Sequence, residues 1–217
     1  MSNPDSFIRE VTEEVRRERV SGFLRRYGWI GVVLVLGVVG GAAWNEWSKA
    51  QRDAAAQGFG DAVLAAYEAP DATARLRALQ AIETTGTRVA VQRLLVAAEA
   101  QAAGNRDQAL AALSAVADDT ALPARYRQLA TLKRITLAGA DMPLAEREQT
   151  LNALASPGQP LRPLAMEQLA VLRIEAGDID AAVAILRELV DGAEVGPGLR
   201  RRASQVIVAL GVDPQAG

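Results

Sequence analysis

Cysteine and histidine are both missing from the 217 residues. Without cysteine no disulfide can form, so stability must come from packing even in an oxidising compartment. Without histidine the commonest general base and the commonest neutral metal ligand are gone, and zinc sites of the usual His and Cys types cannot be built. Aromatic residues make up only 4%, and the only lysines are Lys49 and Lys133. A formal net charge of −2 leaves no basic excess for nucleic acid. Runs of β-branched residues are scarce outside one segment, whereas Ala, Leu, Glu, Gln and Arg abound, which is the composition of a helical chain.

That one segment is Tyr27 to Asn45, nineteen consecutive uncharged residues between Arg26 and Glu46. As a helix it is about 28 Å long, close to the ~30 Å hydrocarbon thickness of a bilayer. Tyr27 and Trp29 near one end, and Trp44 and Trp47 near the other, stand where the two water interfaces would fall. Arg9, Arg16, Arg17, Arg19, Arg25 and Arg26 precede the run, against Lys49 and Arg52 after it, so the positive-inside rule keeps the N-terminus in the cytoplasm. A cleaved signal peptide is the competing reading, since Gly40, Gly41, Ala42 and Ala43 are small. The mixed-charge region of 26 residues before the run, and the length of the run itself, favour an uncleaved anchor. Gly37 and Gly41 form a small-xxx-small pair that would let a second helix approach.

The expected organisation is a cytoplasmic amphipathic helix over 1–26, a transmembrane helix over 27–47 and an outer domain over 48–217. The first carries Phe7, Ile8, Val11 and Val15 at helical spacing behind the Asn3-Pro4-Asp5 start. Beyond the span the helix is expected to run on to about Ala69, with Gly58 and Gly60 as places to bend. Thereafter periodicity and breakers predict helices over about 71–83, 88–103, 106–117, 123–138, 143–154, 161–176, 179–192 and 197–210, and an unstructured tail from Gly211.

The breaks recur. Pro70, Gly104, Gly139 and Gly177 are 34, 35 and 38 residues apart, near the ~34-residue period of a helix-turn-helix solenoid. Two copies superpose well, one around Gly104 and one around Gly177. A small residue stands seven before each glycine (Ala97, Ala170) and another five after it (Ala109, Ala182), where two helices of a hairpin would have to approach closely. Gly104-Asn105-Arg106-Asp107-Gln108-Ala109 and Gly177-Asp178-Ile179-Asp180-Ala181-Ala182 resemble the turn of the tetratricopeptide repeat. The copy around Gly139 is degenerate, and the one around Pro70 follows from spacing alone.

With its charged N-terminal helix, basic-aromatic entry RRYGWIG, single span leaving through AAWNEW and degenerate repeats, the chain is similar to the ancillary subunit of the SecYEG translocon. That resemblance implies an all-α protein of the bacterial inner membrane, with a transmembrane helix followed by a periplasmic solenoid of tetratricopeptide-like hairpins. It also implies partners among translocon subunits, periplasmic chaperones and exported chains. A cell-envelope assembly or division scaffold on the same fold is the alternative.

No catalytic constellation emerges. Asp118-Asp119 and Asp178 with Asp180 lack the ordered ligand series of a calcium loop and read as turn and cap residues. Neither lysine lies in a recognisable nucleophile context, and no phosphate-binding glycine motif is present. The expectation is a binding module with no enzymatic activity, no cofactor, no metal, no nucleic acid and no small-molecule substrate. Arg200-Arg201-Arg202 reads as the solvated face of a capping helix.

Overall fold

Alanine and leucine dominate between the breaks, and the described chain is helical throughout, with no strand. The computed structural model describes residues 4–213; of residues 4–28, 30–32 and 35 it describes only the backbone. The order is α1 (Pro4–Tyr67), α2 (Ala72–Gln80), α3 (Thr87–Ala102), α4 (Arg106–Ala117), α5 (Ala124–Ala138), a 3₁₀ turn (Gly139–Asp141), α6 (Leu144–Leu154), α7 (Arg162–Glu175), α8 (Ile179–Asp191) and α9 (Pro197–Ala209). The chain divides into two units, Met1–Gly58 and Phe59–Gly217.

The first unit is carried by α1 alone, and its described side chains are almost all exposed, including Trp29, Trp44 and Trp47. The rings of Trp44 and Trp47 lie 5.3 Å apart, centroid to centroid. Among the described residues no helix is long and apolar enough to cross a membrane. The side chains of Tyr27, Gly28, Ile30, Gly31, Val32 and Val35, all within the uncharged run, lie outside the described residues, as do those of the amphipathic helix expected over 1–26. α1 is unbroken past Gly58 and Gly60 to Tyr67, as expected of the run-on helix.

In the second unit successive helices pack in chain order, and four apolar clusters run along it. The last turns of α1 contribute Ala66 to a cluster with Leu76, Leu79, Val96, Ala100 and Ala109. At the far end Met166, Leu186, Leu189, Leu199 and Ile207 form another. The helix expected over 71–83 is shorter than its pattern indicated. Gln92 of α3 donates through Nε2 to the carbonyls of Leu79 (3.0 Å) and Ile82 (2.9 Å), satisfying the end of α2 from outside.

The two clear repeats close alike. At Gly104 (φ +76°) the glycine N–H donates to the Gln101 carbonyl at 3.1 Å and the Asn105 N–H to the Ala100 carbonyl at 2.8 Å. At Gly177 (φ +77°) the equivalent bonds, to Ile174 and Arg173, are 3.0 and 2.9 Å. This is the double closure that a left-handed residue permits just past a helix end. Ala109, Ala170 and Ala182 are 0% exposed and Ala97 4%, and the helices of the α3/α4 and α7/α8 hairpins pack closely against each other.

The copy at Gly139 departs from this, and side-chain size explains how. Seven before Gly139 stands Leu132 and five after it Leu144, the latter 47% exposed. Without small residues at the crossing, α5 and α6 make few contacts with each other, and both pack through Leu132, Ile135, Leu151 and Leu154 onto Leu169 and Leu172 of α7. The Gly139 N–H (φ +51°, ψ −131°) donates to the Ile135 carbonyl alone, without the second closing bond, and a 3₁₀ turn intervenes before α6. At the C-terminus, Gly211 closes α9 as Gly104 closes α3, and the Asp213 carbonyl accepts from Arg187, so the chain is organised through Asp213 rather than loose from Gly211.

Candidate functional site

A groove of about 400 Å³ opens across α3, α5 and α7, with Leu113 of α4 behind it. Its walls follow a strict register. Leu94 of α3, Leu129 of α5 and Leu164 of α7 are 35 residues apart, and the same interval links Ala97, Leu132 and Glu167, and then Ala98, Lys133 and Gln168. Each helix thus presents i, i+3 and i+4 positions on one face, and three helices stack those faces side by side. The series extends to Leu199 and Arg202 of α9, whose guanidinium donates to both oxygens of Glu167 at 2.9 Å. Glu167 is thereby neutralised. Lys133, exposed at the middle of the groove, has no ion-pair partner among the described residues. Thr136, one turn on, donates to the Leu132 carbonyl at 3.0 Å, with the Gln168 Oε1 at 3.3 Å.

The helix that carries Lys133 is held from the neighbouring repeat. Because Gly139 does not form the double closure, the last carbonyls of α5 need other donors. Arg106 supplies them: Nη2 bonds the carbonyls of Leu137 (2.9 Å) and Ala138 (2.6 Å), Nε bonds Leu137 at 3.2 Å, and Nη1 pairs with Asp141.

Of the residues singled out by sequence, Ala97 lines the groove, whereas Ala109, Ala170 and Ala182 are core and Gly104 and Gly177 lie at exposed turns. Gly37 and Gly41 face open space, with nothing within 4 Å of an added Cβ, and Trp29, Trp44 and Trp47 are exposed; the side chain of Tyr27 lies outside the described residues. The paired carboxylates are structural. Asp119 accepts from the Ala121 N–H at 3.1 Å and pairs with Arg93, Asp118 lies 3.8 Å from Arg134, and Asp178 caps α8 through the Ala181 N–H at 3.2 Å. Among the described residues no three acidic side chains are grouped to hold a metal ion. Arg202 of the basic run reaches Glu167 instead of standing free in solvent.

Sequence reasoning missed the groove's leucines and the isolation of Lys133. The signal was the 35-residue leucine series, which alignment on turn glycines hides because the last glycine interval is 38. It also missed a polar cluster where α1, α2 and α3 meet. Glu99 is only 8% exposed and accepts from Arg75 Nε at 2.8 Å; burial, reinforced by that carboxylate, pushes the Tyr67 phenol above its ordinary pKa.

No curated protein and no solved structure matches the chain significantly. The pattern of the tetratricopeptide repeat-like domain does match, over residues 23–158, and the hairpin packing it describes continues beyond it through α7, α8 and α9. Since the match takes in more than half of the sequence, the protein belongs to the tetratricopeptide repeat-like domain family.

Proposed function

We propose that this protein is a membrane-tethered interaction module whose α3/α5/α7 groove binds segments of other proteins by burying apolar side chains against the leucine series. The observation that carries the reading is the groove itself: an open, largely apolar face built from equivalent positions of three consecutive repeats. Binding without turnover is in keeping with a family whose members are typically protein-interaction domains.

We take the uncharged run 27–45 as the tether, and the arginine bias before it favours a cytoplasmic N-terminus with residues 48–217 in the periplasm. Confinement at the membrane raises the effective concentration of the groove near its working partner. The resemblance to the ancillary translocon subunit nominates translocon subunits, periplasmic chaperones and emerging exported chains as those partners.

Two measurements on native membranes test this. Because the chain has no cysteine, Ser2→Cys and Ser156→Cys each create a unique thiol. An impermeant maleimide applied to spheroplasts should label position 156 and spare position 2 until lysis; the opposite pattern overturns the topology. A photoreactive residue replacing Leu164 should give adducts to translocon subunits, chaperones or exported chains that one replacing Ala111, an exposed position on α4, does not. Adducts to division or wall-synthesis proteins instead would move the function to an envelope scaffold.

A further inference from the structure

We infer that the groove selects an apolar segment that carries an acidic side chain, which pairs with Lys133. The inference rests on the groove being the binding surface and adds the chemistry of what it takes.

The chain uses arginine almost everywhere it needs a cation. Of the 24 basic residues only Lys49 and Lys133 are lysines. Eight of the fifteen arginines of the second unit are paired with carboxylates of the chain: Arg75 with Glu99, Arg93 with Asp119, Arg106 with Asp141, Arg134 with Asp118, Arg147 with Glu175, Arg162 with Glu188, Arg173 with Glu148 and Arg202 with Glu167. A planar guanidinium fork suits such permanent contacts. Lys133 is the exception in type and in setting. It is the only lysine of the second unit, it stands between Leu129, Leu132 and Leu137, and it lacks an ion-pair partner among the described residues.

The two charges that line the groove are unequal in what they leave over. Glu167 is met by both donors of Arg202, so it adds no net field, and Lys133 leaves the groove with one uncompensated positive charge. An ammonium on a flexible four-carbon stem adapts to partners of differing register, and its stem packs along apolar surface while the charged head reaches out. An occupant that covers the leucines also excludes water from around Lys133. A carboxylate opposite it then offsets the lost hydration, whereas a second cation is repelled and desolvated together. An acidic group among apolar side chains is therefore admitted, and a basic one in the same place is rejected.

The test uses the full chain in lipid nanodiscs and two fluorescein-labelled amphipathic leucine-rich peptides of identical sequence except for one central Glu or Lys, with empty nanodiscs subtracted. Anisotropy should show the Glu peptide binding about tenfold tighter, a preference that shrinks in high salt. Lys133→Glu should reverse the order and Lys133→Gln should abolish it. Circular dichroism checks that both variants fold, as expected for a substitution at an exposed position. If both peptides bind wild type equally and Leu164→Glu abolishes both, the groove stands and the acidic selectivity is refuted. If neither peptide binds, or Leu164→Glu leaves binding unchanged, the groove reading fails with it.

Discussion

Replacing Arg106 by alanine removes three hydrogen bonds to the open end of α5, at 3.2, 2.9 and 2.6 Å, together with the pair to Asp141. A buried bond to a charged donor contributes about 1.5–3 kcal/mol, but the Arg106 side chain is 44% exposed, so about 0.5–1 kcal/mol for each is the appropriate discount. The sum is about 2 kcal/mol, which for a chain of this size lowers Tm by about 4–8 °C. The loss should be local as well as global. Amides in the last two turns of α5 should exchange about 30-fold faster, read by hydrogen exchange on the full chain, while those of α8 change less. Arg106→Lys keeps a positive charge at the helix C-terminus but not the fork, and should recover less than half. Asp141→Ala should cost no more than about 0.5 kcal/mol, because Asp141 is 69% exposed. If Arg106→Ala is as mild as Asp141→Ala, water serves those carbonyls equally well and the capping argument is wrong.

Two further outcomes follow from the same geometry. Ala182→Leu, at a fully buried hairpin crossing, should cost about 1–3 kcal/mol through overpacking, and Leu144→Ala, at the equivalent position of the open hairpin, less than about 0.5 kcal/mol; thermal unfolding in detergent compares them. Tyr67 should produce an alkaline loss of stability: its pKa is higher folded than unfolded, so the stabilisation is intact below the ordinary phenol pKa and disappears as pH rises through the folded value. Chemical denaturation at pH 8 and above pH 10 should show that slope in wild type and a shallower one in Tyr67→Phe.

Helix positions were readable because the breakers are strong. Gly104 and Gly177 each end a helix by a left-handed closure that alanine or leucine resists, and the small residues at −7 and +5 mark the close crossings. The Gly139 copy looked degenerate in sequence for the reason it is open in space, namely two leucines where the others have alanines. What sequence could not supply was the length of α2, which Gln92 sets from a different helix, and the cap from Arg106, which acts across 31 and 32 residues. Such contacts depend on which helices become neighbours, and no local periodicity encodes them.

The groove was illegible for a further reason: the solenoid holds two registers at once. Hairpin closure counts from the turn glycine, and the small residues keep their offsets from it in both good copies. The groove counts from its neighbours across the stack, where side chains of α3, α5 and α7 must meet, and there the interval is 35. Between α5 and α7 the two counts part company, since Gly139 lies ten residues after Leu129 but Gly177 lies thirteen after Leu164. Three residues are close to one turn of ~3.6, so the extra length moves the hairpin along α7 by nearly a full turn while returning the same face to the groove. Leu164, Glu167 and Gln168 therefore stay in line with Leu129, Leu132 and Lys133, and Ala170 still meets α8. An insertion of one or two residues there would rotate one face or the other out of place, so the 38-residue interval is compatible with an intact groove only because the increment is nearly a whole helical turn.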